Sequence, residues 1–226
     1  MALPSTAAES SFSKGTTALR LKKLLCKALS AKEPCTALAD AVKTGGIRVI
    51  AVDFDLTMIT VHSGKCTRAH SGSASNVPDN PIFTSLSPDF DAFASAATSR
   101  GIPIAVVTFG DPRAIASRPD RIAGEPLVQR VLEGSAASFK VDAVFPFYPP
   151  LYQWPADYKV LGLKEPMPFS KSFHISKVLE HFGVSKEQVL LIDDDPNNCS
   201  AFAAEGGVSL RVAGDRGFDC ANLEVV

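Results

Sequence analysis

The chain has no apolar run near the roughly 20 residues that cross a bilayer, almost no net charge, and no cysteines in CxxC spacing. Each shortfall removes a class of function. Without a spanning run, a membrane partner is not expected. A net charge of -1 supplies no field for nucleic acid or an anionic surface, so neither is expected as a partner. The basic residues between Lys14 and Lys27 read as a solvated helix face. The five cysteines (Cys26, Cys35, Cys66, Cys199, Cys220) are odd in number and scattered. That fits neither a disulfide framework nor a zinc site, and it reads as free thiols in a reducing compartment. The opening "MALPSTAAESSFSKGTTALRLKKLL" lacks the apolar core of a secretory signal. It is Ser/Thr/Ala-rich and turns basic at Arg20, Lys22 and Lys23. Residues 1–16 therefore read as a disordered tail entering an amphipathic helix, with an organelle transit peptide as the alternative; the expected compartment is the cytoplasm. "SKGTT" at 13–17 lacks P-loop spacing and precedes no strand–helix unit. No internal repeat is present.

What is there suits a single globular domain. The 226 residues, 46% apolar and 21% charged, suffice for a sizeable core. Residues 17–44 carry apolar positions at helical spacing (Leu21, Leu24, Leu25, Ala28, Leu29), and Pro34 breaks or restarts that helix. After "GG" at 45–46, "IRVIAVDF" (47–54) is a near-continuous apolar run, the mark of a strand buried on both faces. The same kind of run recurs in "IPIAVVTFG" (102–110), "VDAVFPF" (141–147), "VLLIDDD" (189–195) and "GVSLRV" (207–212). Each follows a helical stretch: "SPDFDAFASAATSRG", residues 125–137, "KSFHISKVLEHFGV" and "NCSAFAAEG". About five strands alternating with helices predict a doubly wound, Rossmann-like α/β domain over 45–226, with a parallel sheet and helices on both faces.

Two stretches break the rhythm. Residues 62–87 are polar and rich in Gly, Ser, Asn and Pro. Residues 146–170 hold six prolines and the sole tryptophan. Insertions of this length inside a compact domain are usually functional or disordered.

Ligands bind open parallel sheets at the carboxyl ends of the strands. There the first strand ends in Asp53, Phe54 and Asp55, the second in Thr108, and the fourth in Asp193, Asp194 and Asp195. Five converging carboxylates persist with a cation among them, and an all-oxygen site suits Mg²⁺. Asp53 and Asp55 lie two apart, so strand alternation sends both side chains to the same side. One can stay ionised as a nucleophile while the other keeps a proton for general acid and base work.

"DFDLT" resembles the first motif, DxDx[TV], of the haloacid dehalogenase-like (HAD) hydrolase superfamily. "VVTFG" is similar to its second motif, Lys171 in "SKSFHI" to its third, and "LLIDDDPNN" to its acidic fourth. The four stand in family order over about residues 47–212. The resemblance implies a Mg²⁺-dependent phosphomonoesterase of the small-cap or capless type, working through an aspartyl-phosphate. Asp53 would be nucleophile and Mg²⁺ ligand; Asp55 would be acid/base and would lend the metal its backbone carbonyl. Thr108 and Lys171 would hold the phosphoryl group, with Phe109 and Gly110 beside it. Asp194 would be a further metal ligand, with Asp193 orienting Lys171 or a metal-bound water, and Asn198 stands where many members place a second acid. The triple aspartate leaves the ligand ambiguous by one position, and Lys164 and Lys177 compete with Lys171.

Too few residues separate Thr57 from the helix near 88 for a large cap. The expected site is open, rimmed by a flap at 58–66 and by Tyr148, Tyr152, Trp154 and Tyr158 of the proline-rich loop. An open site suits a phosphoprotein or another large phosphoester; a small metabolite or nucleotide is the alternative. A receiver-type signalling module is disfavoured because "VFPF" ends the third strand without an acceptor aspartate. A non-catalytic HAD-like binding domain is the remaining alternative. His174 and His181 read as solvated or partly packed helix residues, and His62, His70 and Cys66 as loop residues rather than a zinc site.

Overall fold

The computed structural model describes residues 7–64 and 72–226, with side chains from residue 17 onward. Two helices come first, α1 (Ala7–Leu29) and α2 (Pro34–Thr44). Pro34 stands in the first turn of α2, where its missing N–H costs nothing. The expected tail is helical from Ala7 onward: Ala7, Ala8, Glu9 and Lys14 are strong helix formers despite their polar company. Residues 1–6 lie outside the described residues.

The remaining elements are β1 (Val49–Val52), β2 (Ser73–Ser75), α3 (Pro88–Ser99), β3 (Ile104–Thr108), β4 (Arg121–Ala123), α4 (Gly124–Gly134), β5 (Ala143–Pro146), α5 (Pro155–Tyr158), α6 (Ser172–Phe182), β6 (Val189–Asp193), α7 (Pro196–Ala204), β7 (Val208–Val212) and β8 (Leu223–Val225). Six strands form one sheet in the order β5-β3-β1-β6-β7-β8. The first five pair in parallel; β8 runs antiparallel on β7. The protein is thus an α/β molecule with a mostly parallel six-stranded sheet flanked by helices. The five apolar runs in the sequence are β1, β3, β5, β6 and β7. The sixth strand, and the small antiparallel pair β2–β4, were not anticipated, since three residues are too short to display a period.

Strand alternation divides the core in two. Ile50, Val52, Ile104, Val106, Leu190, Ile192 and Leu210 face α1 to α4, packing with Leu21, Leu25, Leu38, Val42, Phe90, Phe93 and Val131. Val49, Ala51, Ala105, Val107, Val189 and Leu191 face α6 and α7, packing with Ile175, Val178 and Phe202. Both faces of the strands are apolar, which explains the near-continuous runs.

Helix ends match their residues. The Ser87 hydroxyl accepts the Phe90 N–H at the start of α3, and Gly101 takes φ +73° after its end, the left-handed conformation glycine adopts freely. Asp195 caps α7 by accepting the Asn197 N–H at 2.8 Å.

The 146–170 stretch departs from expectation. Short helical turns fold it onto itself, and Tyr152, Tyr158, Met167 and Phe173 form a third cluster with Phe147, Leu151, Leu161 and Leu163. Of its aromatics, Trp154 is 73% exposed, whereas Tyr152 is 2% and Tyr158 8% exposed. Proline fixes the turns, and apolar residues at 151, 158, 161, 163 and 167 give them something to bury.

Candidate active site

The carboxyl end of the sheet gathers charged and polar groups from four segments. Asp53 directly follows β1, Thr108 ends β3, Asp193 ends β6, and Lys171 precedes the first residue of α6. The Lys171 ammonium donates to Asp53 Oδ1 at 2.6 Å and to the Val107 carbonyl at 2.6 Å. It also lies 4.0 Å from the centroid of the Phe109 ring. Lys171 is 2% exposed, so its charge is held by these partners rather than by water. Lys164 is exposed and Lys177 pairs with Glu180, away from this cluster.

Oxygens of Asp53, Asp193 and Asp194 lie within 4.8 Å of one another. Burial and the charge of Asp53 push the Asp193 carboxyl up to about 8, against the pull of Lys171 and the Asn198 amide. The same two causes push Asp194 up to about 6. Asn198 fixes this corner: its amide donates to both Asp193 oxygens (3.1 and 3.2 Å), and its carbonyl accepts the Lys171 backbone N–H at 3.2 Å. The Asp195 carboxylate caps α7 instead, while its N–H donates to Asp193. Thr57 donates its hydroxyl to Asp194 at 3.4 Å.

Asp55 reaches the site by a different route from strand alternation. β1 ends at Val52, and residues 54–58 form a wide, kinked turn, closed by the Met58 N–H on the Asp53 carbonyl, in which Asp55 is extended and Leu56 takes φ +53°. A left-handed leucine costs roughly 1 kcal/mol or more and persists where its surroundings over-determine it. The turn aims the Asp55 carboxylate at Ser63, whose N–H (2.9 Å) and hydroxyl (2.8 Å) both donate to it. His62 Nδ1 stands 3.7 Å from the same carboxylate. Burial, then Asp53, raises the Asp55 carboxyl above the ordinary aspartate range; Ser63 and His62 pull the other way. Neither Ser63 nor His62 was assigned a role from the sequence: a serine and a histidine in a polar loop carry no period or spacing that marks them.

Asp53, Asp55, His62, Gly72, Thr108, Phe109, Lys171, Asp193, Asp194, Asp195 and Asn198 line one pocket of about 190 Å³. The Gly110 N–H is taken by the Thr108 hydroxyl at 3.0 Å, so it is not a free phosphate donor. Gly110 backs the pocket against Gly72, where an added Cβ would sit 2.3 Å from the Gly110 Cα. Among the described residues the proline-rich loop contributes nothing to the lining. Its Tyr152 turns inward to donate its hydroxyl to Asp111 at 2.6 Å. Of the expected aromatic rim, Tyr152 and Tyr158 lie in the buried cluster, Trp154 is exposed and Tyr148 half-buried, and none of the four lines the pocket. Of the expected flap, residues 58–64 are described and contribute His62; Cys66 and His70 lie outside the described residues.

His174 is also a correction. It is 0% exposed, and Nε2 lies 3.2 Å from the Thr108 carbonyl and 3.0 Å from that of Phe147. Two carbonyl partners require the proton on Nε2, which leaves Nδ1 bare and without a partner among the described residues. Burial and the nearby Lys171 charge push this imidazole down to about 3. His181 is exposed on the same helix.

The donor set of the acidic cluster is all oxygen and carries more negative charge than Lys171 balances. That is the chemistry of a site for a hard divalent cation. No protein-family model matches the chain, and comparison with curated proteins finds no match. No helix among the described residues is long and apolar enough to cross a membrane.

Proposed function

We propose that the protein is a Mg²⁺-dependent phosphomonoesterase that works through an aspartyl-phosphate on Asp53, in a doubly wound, Rossmann-like HAD-type domain with a minimal cap. The observation that carries this reading is the Asp53–Lys171 pair at 2.6 Å, set in a pocket where Asp193 and Asp194 oxygens converge on Asp53. Asp53, Asp193 and Asp194 would hold Mg²⁺, which when bound neutralises phosphate charge and offsets the repulsion among the carboxylates.

In this reading a phosphate ester enters with its oxygens toward the Lys171 ammonium and the Thr108 hydroxyl. An Asp53 carboxylate oxygen attacks phosphorus, and the ester oxygen leaves with the proton that Asp55 carries. Asp55, now a carboxylate steadied by two Ser63 donors, takes a proton from water as that water attacks the phospho-aspartate. Inorganic phosphate departs and Asp53 is restored. A pocket of about 190 Å³ holds a phosphoryl group and the first atoms of its ester. This favours a phosphoprotein or other large phosphoester over a fully enclosed metabolite.

The test is hydrolysis of p-nitrophenyl phosphate. Turnover is expected with Mg²⁺, is lost with a chelator, and is lost in Asp53→Asn. Turnover that survives in Asp53→Asn would sink the mechanism; Mg²⁺ binding without turnover of any phosphoester would make this a binding domain.

A further inference from the structure

We propose that Cys35 and Cys220 form a reversible intramolecular disulfide that ties α2 to the C-terminal segment behind the candidate site. The two residues are 185 apart in sequence, yet their sulfurs lie 3.1 Å apart. Closing to a bond of about 2.05 Å asks for roughly 1 Å of movement. Both sides are already held in register. Cys35 sits in the first turn of α2 and donates its thiol to the Asp89 carbonyl at 3.5 Å. The Cys220 N–H donates to the Asp89 carboxylate at 2.9 Å. Two residues earlier, the Phe218 N–H donates to the Thr57 carbonyl at 2.8 Å and the Phe218 carbonyl accepts the Ser87 hydroxyl. Thr57 in turn bonds Asp194, so the clamp would bear on the turn that shapes the pocket. The proposal does not depend on the phosphatase reading.

The reaction needs a two-electron oxidant, and a low-molecular-weight disulfide such as oxidised glutathione serves. Cys35 is half-buried and Cys220 is 6% exposed, so Cys35 is the entry point. The Cys35 thiolate attacks one glutathione sulfur, forming a mixed disulfide and expelling a glutathione thiolate. The Cys220 thiolate then attacks the Cys35 sulfur and expels the second. The protein pair is oxidised and the oxidant reduced to two thiols, which take up the two protons released. Burial raises both thiols above the ordinary range, so exchange is slow and long incubation is needed.

Asp89 with the two thiols also makes a three-ligand cluster within 4.8 Å. A metal held there with both thiols intact is the competing outcome, and the experiment separates the two.

The experiment incubates the full chain in glutathione redox buffers and maps its peptides by mass spectrometry without reduction. A Cys35–Cys220 cross-linked peptide, two hydrogens lighter than the sum of its parts, is expected. It should disappear in Cys35→Ser, persist in Cys26→Ser, and revert with dithiothreitol. The oxidised wild type should melt higher, by on the order of 5–10 °C. Two free thiols, a persistent glutathione adduct on Cys35, a different cysteine pairing, or zinc bound with both thiols intact would each overturn the proposal. Because the wild-type map alone decides the pairing, a variant that fails to fold leaves the test intact.

Discussion

Asp111 and Asp193 are both buried carboxylates near the carboxyl ends of β3 and β6, the strands on either side of β1, 3% and 1% exposed, but they are satisfied in opposite ways. Asp111 accepts the Tyr152 hydroxyl at 2.6 Å, the Arg113 N–H at 2.9 Å and the Tyr148 N–H at 3.4 Å. It joins the loop after β3 to the folded 146–170 stretch and leaves little acceptor capacity over. Asp193 also has donors, from Asn198 and the Asp195 backbone, yet it faces Asp53 and Asp194 across a few ångströms. A buried carboxylate that is only paired is structural. One that shares its space with other carboxylates has unmet charge, and the difference marks the candidate site.

The sharpest way to break that comparison is to neutralise one member of each group. Asp53→Asn should lower hydrolysis of p-nitrophenyl phosphate by on the order of 10³-fold or more. Its melting temperature should fall less than that of Asp111→Ala, because the asparagine oxygen still accepts from the Lys171 ammonium and one charge leaves a crowded cluster. In Asp111→Ala, urea unfolding should show a loss on the order of 3 kcal/mol, since the Tyr152 hydroxyl and two N–H groups lose their acceptor. If Asp53→Asn instead unfolds the protein while Asp111→Ala is silent, the assignment of structural and functional roles is inverted.

Added Mg²⁺ separates the two groups next. The wild type should gain about 2.7 kcal/mol of apparent stability at a Mg²⁺ concentration about 100 times Kd, read as a rise in melting temperature. Asp111→Ala should keep that rise and Asp194→Asn should lose most of it. A rise of equal size in Asp194→Asn would remove Asp194 from the ligand set.

Much of this was legible in the sequence, and for a physical reason. Runs such as "IAVVT" and "VLLID" are apolar on both faces because both faces are covered, so β3 and β6 were found with their ends, and with them Thr108 and Asp193. Ser87 and Gly101 marked the ends of α3 through local rules. Lys171 was placed at the start of α6, and it is there that its side chain meets Asp53. What stayed hidden depends on contacts remote in sequence. Ser63 matters only because the turn at 54–58 swings Asp55 toward it, and a left-handed Leu56 has no signature in its own neighbours. Tyr152 and Tyr158 were expected to rim the site because a proline-rich stretch looks like loop, whereas Phe173 and Met167 supply the apolar partners that fold it inward. β2 and β8 are three residues each, shorter than any period they could display.

His174 joins the two regions and gives the subtlest test of how they are coupled. Its imidazole donates to Thr108, on the pocket side, and to Phe147, which enters the aromatic cluster. Its ring packs edge-on against Phe109 and Phe147. In the unfolded chain it titrates near the ordinary histidine value of 6.5, while in the folded protein burial and Lys171 push it down to about 3. The folded-state value is depressed, so below pH 6.5 the unfolded chain binds the proton that the folded protein refuses. The stability this group contributes is therefore complete above pH 6.5 and is lost as pH falls toward 3, at about 1.4 kcal/mol per pH unit. His174→Gln keeps an N–H for the two carbonyls and removes the titration. Between pH 7 and pH 5, in chelator, urea unfolding of the wild type should lose about 2 kcal/mol more than His174→Gln loses. Equal losses would mean that protons reach this ring in the folded state, and that the pocket and the aromatic cluster are less tightly joined than the geometry of His174 requires.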